Sequence, residues 1–230
     1  MARLQRYAPA NIPQHLIQRG NNRQVCFGRN EDFSAYSGWL HDGLKKYEVK
    51  CHGWVFMTNH VHLLCTPSTD TAISSLMQFL GRKYVRYFNG LYQRTGTLFE
   101  GRFKSCPVQT DRYFINCLKY IELNPVRAGM VKDPAEYHWS SYQANGLGKR
   151  IKLWTPHSEY LGLGHTDEAR QQQHRLLVKQ EIESDLVDDI RNCTQQCLAL
   201  GSERFKDEIE ALGNRRQRLL KRGPAKAIQE

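Results

Sequence analysis

The sequence predicts an α+β protein, a ferredoxin-like antiparallel sheet with helices followed by a helical C-terminal extension. Two observations lead there. Up to about residue 139, segments of strand and helix periodicity run in the order strand, helix, strand, strand, helix, strand with short connections, the split pattern of that sheet. From about Ser140 the texture changes to Gly-punctuated stretches, after which amphipathic helical patterns return. The organisation expected is therefore one domain over residues 1–139, a linker or irregular wrap over 140–165, and a helical extension with a basic tail over 166–230.

Each element has its own signal. Residues 15–19 (His-Leu-Ile-Gln-Arg) alternate loosely and run into the turn signal Gly20-Asn21-Asn22, giving a strand and a polar loop. Residues 31–47 carry Phe33, Tyr36, Leu40, Leu44 and Tyr47 at spacings of three and four, an amphipathic helix. Residues 49–57 and 61–65 are β-rich runs separated by Thr58-Asn59-His60, an antiparallel hairpin. Residues 71–92 set Met77, Leu80, Tyr84, Tyr87 or Phe88, and Leu91 on one face of a longer helix. A strand follows over 103–109, with Pro107 confined to an edge or bulge because it has no N–H to give. Asp111 stands where an N-cap would, before a helix through Phe114, Cys117, Leu118 and Ile121, and Pro125 disfavours helix at Asn124. In the split pattern the helices take one sheet face and leave the other free for a ligand or partner.

Beyond residue 140, Thr166 is placed to cap a helix with Asp167 and Glu168 in its first turn and Val178, Ile182, Leu186 and Ile190 along one stripe. Ser202 caps a last helix with Phe205, Ile209 and Leu212 inward and Gly213 as its stop. Residues 215–226 carry six basic side chains and no acid, the pattern of a solvated tail or a nucleic-acid arm.

The chain has 230 residues, 40% of them hydrophobic, with 33 Lys and Arg against 23 Asp and Glu, a net charge of +10. That balance suits a polyanionic partner, nucleic acid or an anionic membrane surface, although a merely soluble basic protein has it too. No apolar run approaches the roughly 20 residues of a membrane span, and Arg and Pro stand where a signal peptide needs apolar residues, so the expectation is a cytoplasmic protein without a membrane role. Seven cysteines without any CxxC indicate small core residues rather than disulfides or a zinc knuckle.

His60-Val61-His62 opens a strand, and alternation sends both imidazoles to one face while Val61 packs the other way. Two histidines on one face can share a metal; an ordinary pair of surface or hydrogen-bonded histidines gives the same pattern. On the third helix Tyr120 and Asn124 stand at i and i+4, on one side and one turn apart. Taken singly, a packed tyrosine and a helix-stopping asparagine account for them as well. Together, a phenol, two imidazoles and an amide are the parts of a phosphodiester transesterification, in which a phenolate attacks phosphorus and a cation withdraws charge from the non-bridging oxygens. Imidazole with carbonyl oxygen and water suits Mn²⁺ or Mg²⁺ better than a closed Zn²⁺ site. Tyr113, seven residues earlier and on nearly the same helix face, is a rival for the tyrosine that spacing does not exclude.

With these residues the sequence resembles the single-strand DNA transposases of the IS200/IS605 type, and among them the REP-associated tyrosine transposases. The resemblance rests on Arg19-Gly20-Asn21-Asn22-Arg23, Met57-Thr58-Asn59-His60-Val61-His62-Leu63-Leu64, Phe99-Glu100-Gly101-Arg102-Phe103-Lys104-Ser105 and Tyr120-Ile121-Glu122-Leu123-Asn124-Pro125-Val126-Arg127-Ala128-Gly129-Met130-Val131, with weaker likeness in Trp139-Ser140-Ser141-Tyr142 and the stretch from Glu203 to Arg216. It implies a ferredoxin-like nuclease that binds imperfect-palindrome hairpins in single-stranded DNA and cuts beside them. By that resemblance His60 and His62 bind a divalent cation, Mg²⁺ or Mn²⁺, Asn124 completes the site, and Tyr120 forms a 5′-phosphotyrosine while freeing a 3′-hydroxyl. The family motif alone favours Tyr120 over Tyr113. Arg222-Gly223-Pro224-Ala225-Lys226 departs from the family's basic tail in being shorter.

DNA contacts are expected from Arg82, Lys83 and Arg86, cations on a helix whose tyrosines follow the core stripe, and from Arg102 and Lys104. The loop holding Arg19, Asn21, Asn22 and Arg23 combines guanidinium groups, amides and a flexible glycine suited to phosphates and base edges. Arg127 is near enough to Tyr120 to assist at a phosphate, though an arginine after a helix also caps carbonyls. A monomer is favoured over a homodimer. The rivals are a hairpin-binding protein that does not cut and a metal-dependent hydrolase that cuts without a covalent adduct.

Overall fold

Side-chain alternation divides each strand between two faces, and the computed structural model, which describes residues 7–218, shows what covers each. β1 (Gln14–Arg19), α1 (Asn30–Lys46), β2 (Val49–Met57), β3 (His60–Pro67), α2 (Ala72–Leu91) and β4 (Lys104–Pro107) follow one another in the expected order. They form one sheet ordered β2-β3-β1-β4 with every neighbouring pair antiparallel, the ferredoxin-like arrangement. Pro107 ends β4, an edge strand, where a missing N–H is tolerated.

On one face Leu16, Trp54, Phe56, Val61 and Leu63 meet Tyr36 and Leu40 of α1 and Leu76, Leu80 and Tyr84 of α2 in the larger core. Each such side chain contributes about 1.5–3 kcal/mol by leaving water. Asp32 of α1 is buried here, and it is satisfied by the Gly28 and Arg29 amides and the Tyr87 and Tyr92 hydroxyls at 2.7–3.0 Å. Leu91, assigned to the same stripe, lies at the helix end and is 43% exposed.

The other face is not free. After α3 (Arg112–Glu122) and the single turn α4 (Asn124–Arg127) come α5 (Tyr142–Asn145), α6 (Ser158–Leu161), α7 (Asp167–Lys179), α8 (Ser184–Gln196) and α9 (Glu203–Gly213). α3 packs on β2 and β3, and α8 on β4 and β1. The reason is apolar: Val55, Met57, Leu64 and Cys106 project from this face and bury against Phe114, Cys117, Leu118 and Ile121 of α3 and Ile190 and Cys193 of α8. A polar part of this face lies where His15, Arg19, His60 and His62 project from β1 and β3.

The helical stripe expected from Thr166 to Ile190 is two helices. Thr166 does cap α7, accepting from the Ala169 amide at 3.2 Å, but the chain leaves the helix at Gln180 and restarts at Ser184. α7 lies against α5 and α6 whereas α8 lies against β1 and β4, surfaces that one straight helix does not reach together. Asp111 precedes α3 as expected but makes no side-chain cap bond, its backbone being at φ 63°. In α9 Ser202 caps as expected and Ile209 is buried, but Leu212 is 61% exposed in the last turn, and Asn214 rather than Gly213 takes the left-handed conformation. Of the basic stretch 215–226, Arg218 is held by Glu203, Asp207 and Glu210, so it is not a loose tail there, and residues from Leu219 on lie outside the described residues. Six of the seven cysteines are buried and all are free, in keeping with core roles. Among the described residues no helix is long and apolar enough to cross a membrane.

Candidate active site

The polar part of the second face is a construction of strand register. In the sheet Arg19 pairs with His60 and Ile17 with His62, so the two imidazoles emerge side by side, their ring centres 5.0 Å apart. Each has its Nδ1 engaged. His60 Nδ1 donates to Asn59 Oδ1 at 2.6 Å, while Asn59 Nδ2 turns away to the Arg23 carbonyl. His62 Nδ1 lies 2.8 Å from Nε2 of His15, a buried histidine two residues before Ile17 on the same side of β1.

Burial first, and then the charge of Arg19, holds His60 down to about 4. Burial, followed by His15, His60, Arg127 and Arg19, holds His62 well below the ordinary imidazole value. Both rings are neutral at pH 7, which is the form that binds metals.

Tyr120 reaches the same place from α3, its ring edge-on to His62 and to His15 with centres 6.0 Å apart in each case. The local sequence fixes it. Pro125 has no N–H for the carbonyl of Ile121, and Asn124 Nδ2 supplies substitutes, donating to Ile121 O at 3.2 Å and Tyr120 O at 2.9 Å. With the amide nitrogen committed to backbone, the Asn124 oxygen is the end of that side chain left for a cation. Arg127 donates to Tyr120 O at 2.9 Å and places its guanidinium 3.9 Å from the ring centre. The carbonyl-capping role therefore holds for Arg127, and it serves the tyrosine itself.

His60, His62, Tyr120 and Asn124 line one cleft of about 780 Å³. Arg19, Arg23, Arg102 and Lys104 line it too, against Glu100, and the C-terminal region adds Arg191, Gln195, Gln196, Cys197 and Arg215. Two neutral imidazoles and an amide oxygen are donors of the kind that would hold a divalent cation in this cleft. Among the described residues no group of three His, Cys, Asp or Glu is arranged to hold a metal, so any ion here relies on that mixed set.

Not every expected residue reaches the cleft. Asn21 and Asn22 share the 3-10 turn of Arg23 without lining it, Asn22 being exposed at φ 50°. The glycine before them serves close packing: Gly20 is buried at an ordinary φ, and a Cβ there would meet the Gln24 carbonyl oxygen at 2.2 Å. Arg82, Lys83 and Arg86 are exposed on α2, across the sheet from the cleft. Tyr113 lines a different, smaller cavity of about 220 Å³ beside Asp189 and Lys206. Sequence reasoning missed His15, although period two placed it on the face of Arg19, and it missed α8, whose approach has no local signal.

A family model described as Transposase IS200 like matches residues 9–124, just over half of the chain. This chain belongs to the IS200-like transposase family. The matched span of the transposase holds His60, His62, Tyr120 and Asn124 together. Its fold is similar to a solved structure of the REP-associated tyrosine transposase bound to a REP hairpin, with 17% identity, a TM-score of 0.54, and coverage of 68% of this chain and 93% of that one. No curated protein sequence matches the transposase.

Proposed function

We propose that this transposase is a divalent-metal-dependent endonuclease and strand transferase of single-stranded DNA that acts at hairpin-forming palindromes through a 5′-phosphotyrosine on Tyr120. The observation that carries the reading is a single cationic cleft, within one chain, where the Tyr120 ring stands 6.0 Å from that of His62 and His60 and Asn124 share the walls. The fold neighbour, bound to a REP hairpin, supports the hairpin as substrate class.

His60, His62 and the Asn124 oxygen would hold Mg²⁺ or Mn²⁺, which when bound withdraws charge from the non-bridging phosphate oxygens. Tyr120 gives up its proton, its oxygen bonds to phosphorus, and the bond to the 3′ oxygen breaks; that oxygen takes a proton and leaves as a hydroxyl. Strand transfer is the reverse, with an incoming 3′-hydroxyl displacing the tyrosine. Arg127 holds the ring from behind while Arg19, Arg23, Arg102 and Lys104 neutralise the DNA backbone around it. Asn21 and Asn22 offer amides beside this path, and Arg82, Lys83 and Arg86 form a second cationic patch for DNA outside the cleft. Because one polypeptide supplies histidines and tyrosine, a monomer suffices for one cleavage, and the compartment proposed is the cytoplasm.

Incubation of wild type and Tyr120→Phe with labelled hairpin DNA, with Mn²⁺, Mg²⁺ or chelator, tests this on a denaturing gel. A slow protein–DNA band that needs both Tyr120 and metal is expected. Cleavage without a band means a hydrolase, and binding with neither means a hairpin-binding protein.

A further inference from the structure

The buried contact between His15 and His62 continues into the C-terminal region. His15 Nδ1 lies 2.9 Å from Oγ1 of Thr194 on α8, and the same Oγ1 lies 2.6 Å from the carbonyl oxygen of Ile190. All of these side chains are sealed from solvent, His15 and Thr194 at 0% and 1% exposure. Every donor and acceptor in such a chain has to match, and the partners leave one solution.

A carbonyl can only accept, so the Thr194 hydroxyl proton points to Ile190. Thr194 Oγ1 must then accept at its other contact, which places the proton of His15 on Nδ1. His15 is fully buried and its two ring nitrogens meet only Thr194 and His62, with no carboxylate among its hydrogen-bond partners to balance a charge, so the ring is neutral and its Nε2 carries a lone pair. That lone pair accepts from His62, so the His62 proton is on Nδ1 and its Nε2 is the open nitrogen. On His60 the oxygen of Asn59 imposes the same assignment.

We propose that Thr194, acting through His15, is a positioning residue that locks His62 in the tautomer with a free Nε2, so that a hydroxyl 179 residues along the chain from His15 keeps one metal-facing nitrogen unprotonated. Without that hydroxyl His15 can reverse, with its Nε2 donating to His62 Nδ1 and the proton of His62 moving to Nε2, where it blocks ligation. The proposal rests on the reading of His62 as a metal ligand only for its consequence; the tautomer is a property of the chain alone. It also gives α8 a part in the site that its packing does not require.

The test uses full-length, metal-free ¹⁵N-labelled protein and long-range ¹H–¹⁵N correlation of the imidazoles, which distinguishes Nδ1–H from Nε2–H directly. Wild type and Thr194→Ser should show His62 as Nδ1–H, while Thr194→Val, of the same size and without a hydroxyl, should show a mixture with Nε2–H. Titration with Mn²⁺ should then find Thr194→Val weaker by about 10–100-fold and Thr194→Ser within about threefold of wild type. The wild-type spectrum needs no variant: His62 found as Nε2–H overturns the proposal, whatever Thr194→Val does to folding. A folded Thr194→Val with an unchanged His62 tautomer overturns it too. If the tautomer shifts as expected but no form binds Mn²⁺, the relay stands and the metal-ligand reading is what fails.

Discussion

The guanidinium of Arg127 lies 3.9 Å from the centre of the Tyr120 ring while its Nη2 donates to the carbonyl of the same residue at 2.9 Å. One side chain thus holds the tyrosine by its π face and by its backbone. A cation stacked at an exposed position contributes on the order of 0.5–1 kcal/mol and a charged hydrogen bond about 1.5–3 kcal/mol, enough to fix the orientation of the ring. Arg127→Lys keeps the charge and loses the planar fork. We expect covalent-complex formation to slow at least about tenfold with hairpin affinity changed less than about threefold, as single-turnover gels and binding titrations would read; equal losses in both would mean that Arg127 acts chiefly on DNA.

Tyr113→Phe should leave adduct formation within about twofold of wild type, because Tyr113 lines the smaller cavity beside Lys206 and not the histidine cleft. The pair Tyr113→Phe and Tyr120→Phe, run side by side, separates two tyrosines that helix periodicity alone leaves equivalent.

The cationic residues should divide by location. Reversing Arg19 and Arg102, which line the cleft, should slow cleavage of DNA already bound. Reversing Arg82, Lys83 and Arg86, which are exposed across the sheet, should weaken binding and lower the salt slope by about 0.7–0.9 for each phosphate no longer neutralised, without changing the rate in the saturated complex. Filter binding against salt, with single-turnover rates, reads both.

How much of this was legible in the sequence depends on the distance over which the information acts. The order of strands and helices along the chain, the shared face of His60 and His62 and the approach of Asn124 to Tyr120 follow from periods of two and 3.6 and from a proline, all local signals. The covered second face was also written in Val55, Met57 and Leu64, whose side chains alternate with those of the larger core, but it takes the whole pattern to see that both faces are apolar. What was not legible joins residues far apart: His15 with Thr194, and Glu122 with His174, Ser141 and Asn145. Nothing in a helical stripe tells where a helix must break to reach two surfaces.

Glu122 shows what such long-range pairing is worth. Fully buried at the end of α3, its carboxyl meets Ser141 Oγ at 2.6 Å, Asn145 Nδ2 at 2.8 Å and His174 Nε2 at 2.6 Å, tying α5 and α7 to the helix that carries Tyr120. Glu122→Ala leaves several buried polar groups without a partner and should cost about 3–5 kcal/mol in urea denaturation, with Glu122→Gln intermediate. A loss below about 1 kcal/mol for Glu122→Ala would show that the cluster is not a tether.

Acid should destabilise the fold through its buried imidazoles. His15 is held down to about 3, and His52 and His60 to about 4, in each case by burial first. Unfolded histidine takes up its proton near pH 6.5, so as pH falls below that value the unfolded chain gains protons that the folded one refuses. Stability present above about pH 6.5 is then lost by up to about 1.4 kcal/mol per pH unit for each such histidine, levelling off only below the folded values. Urea midpoints measured from pH 7.5 to 4.5 should fall steadily below 6.5; a flat profile would contradict the burial of these rings.

If Tyr120 carries the DNA, the most direct measurement is to locate the adduct. After reaction of wild type with a hairpin oligonucleotide and Mn²⁺, nuclease trimming and trypsin, cleavage at Arg112, Lys119 and Arg127 puts Tyr113 and Tyr120 in different peptides. Mass spectrometry should find the 5′-phosphonucleotide on the peptide beginning at Tyr120 and none on the one beginning at Tyr113. Cut DNA with both peptides unmodified, or a label on Tyr113, would contradict the assignment of Tyr120 as the nucleophile.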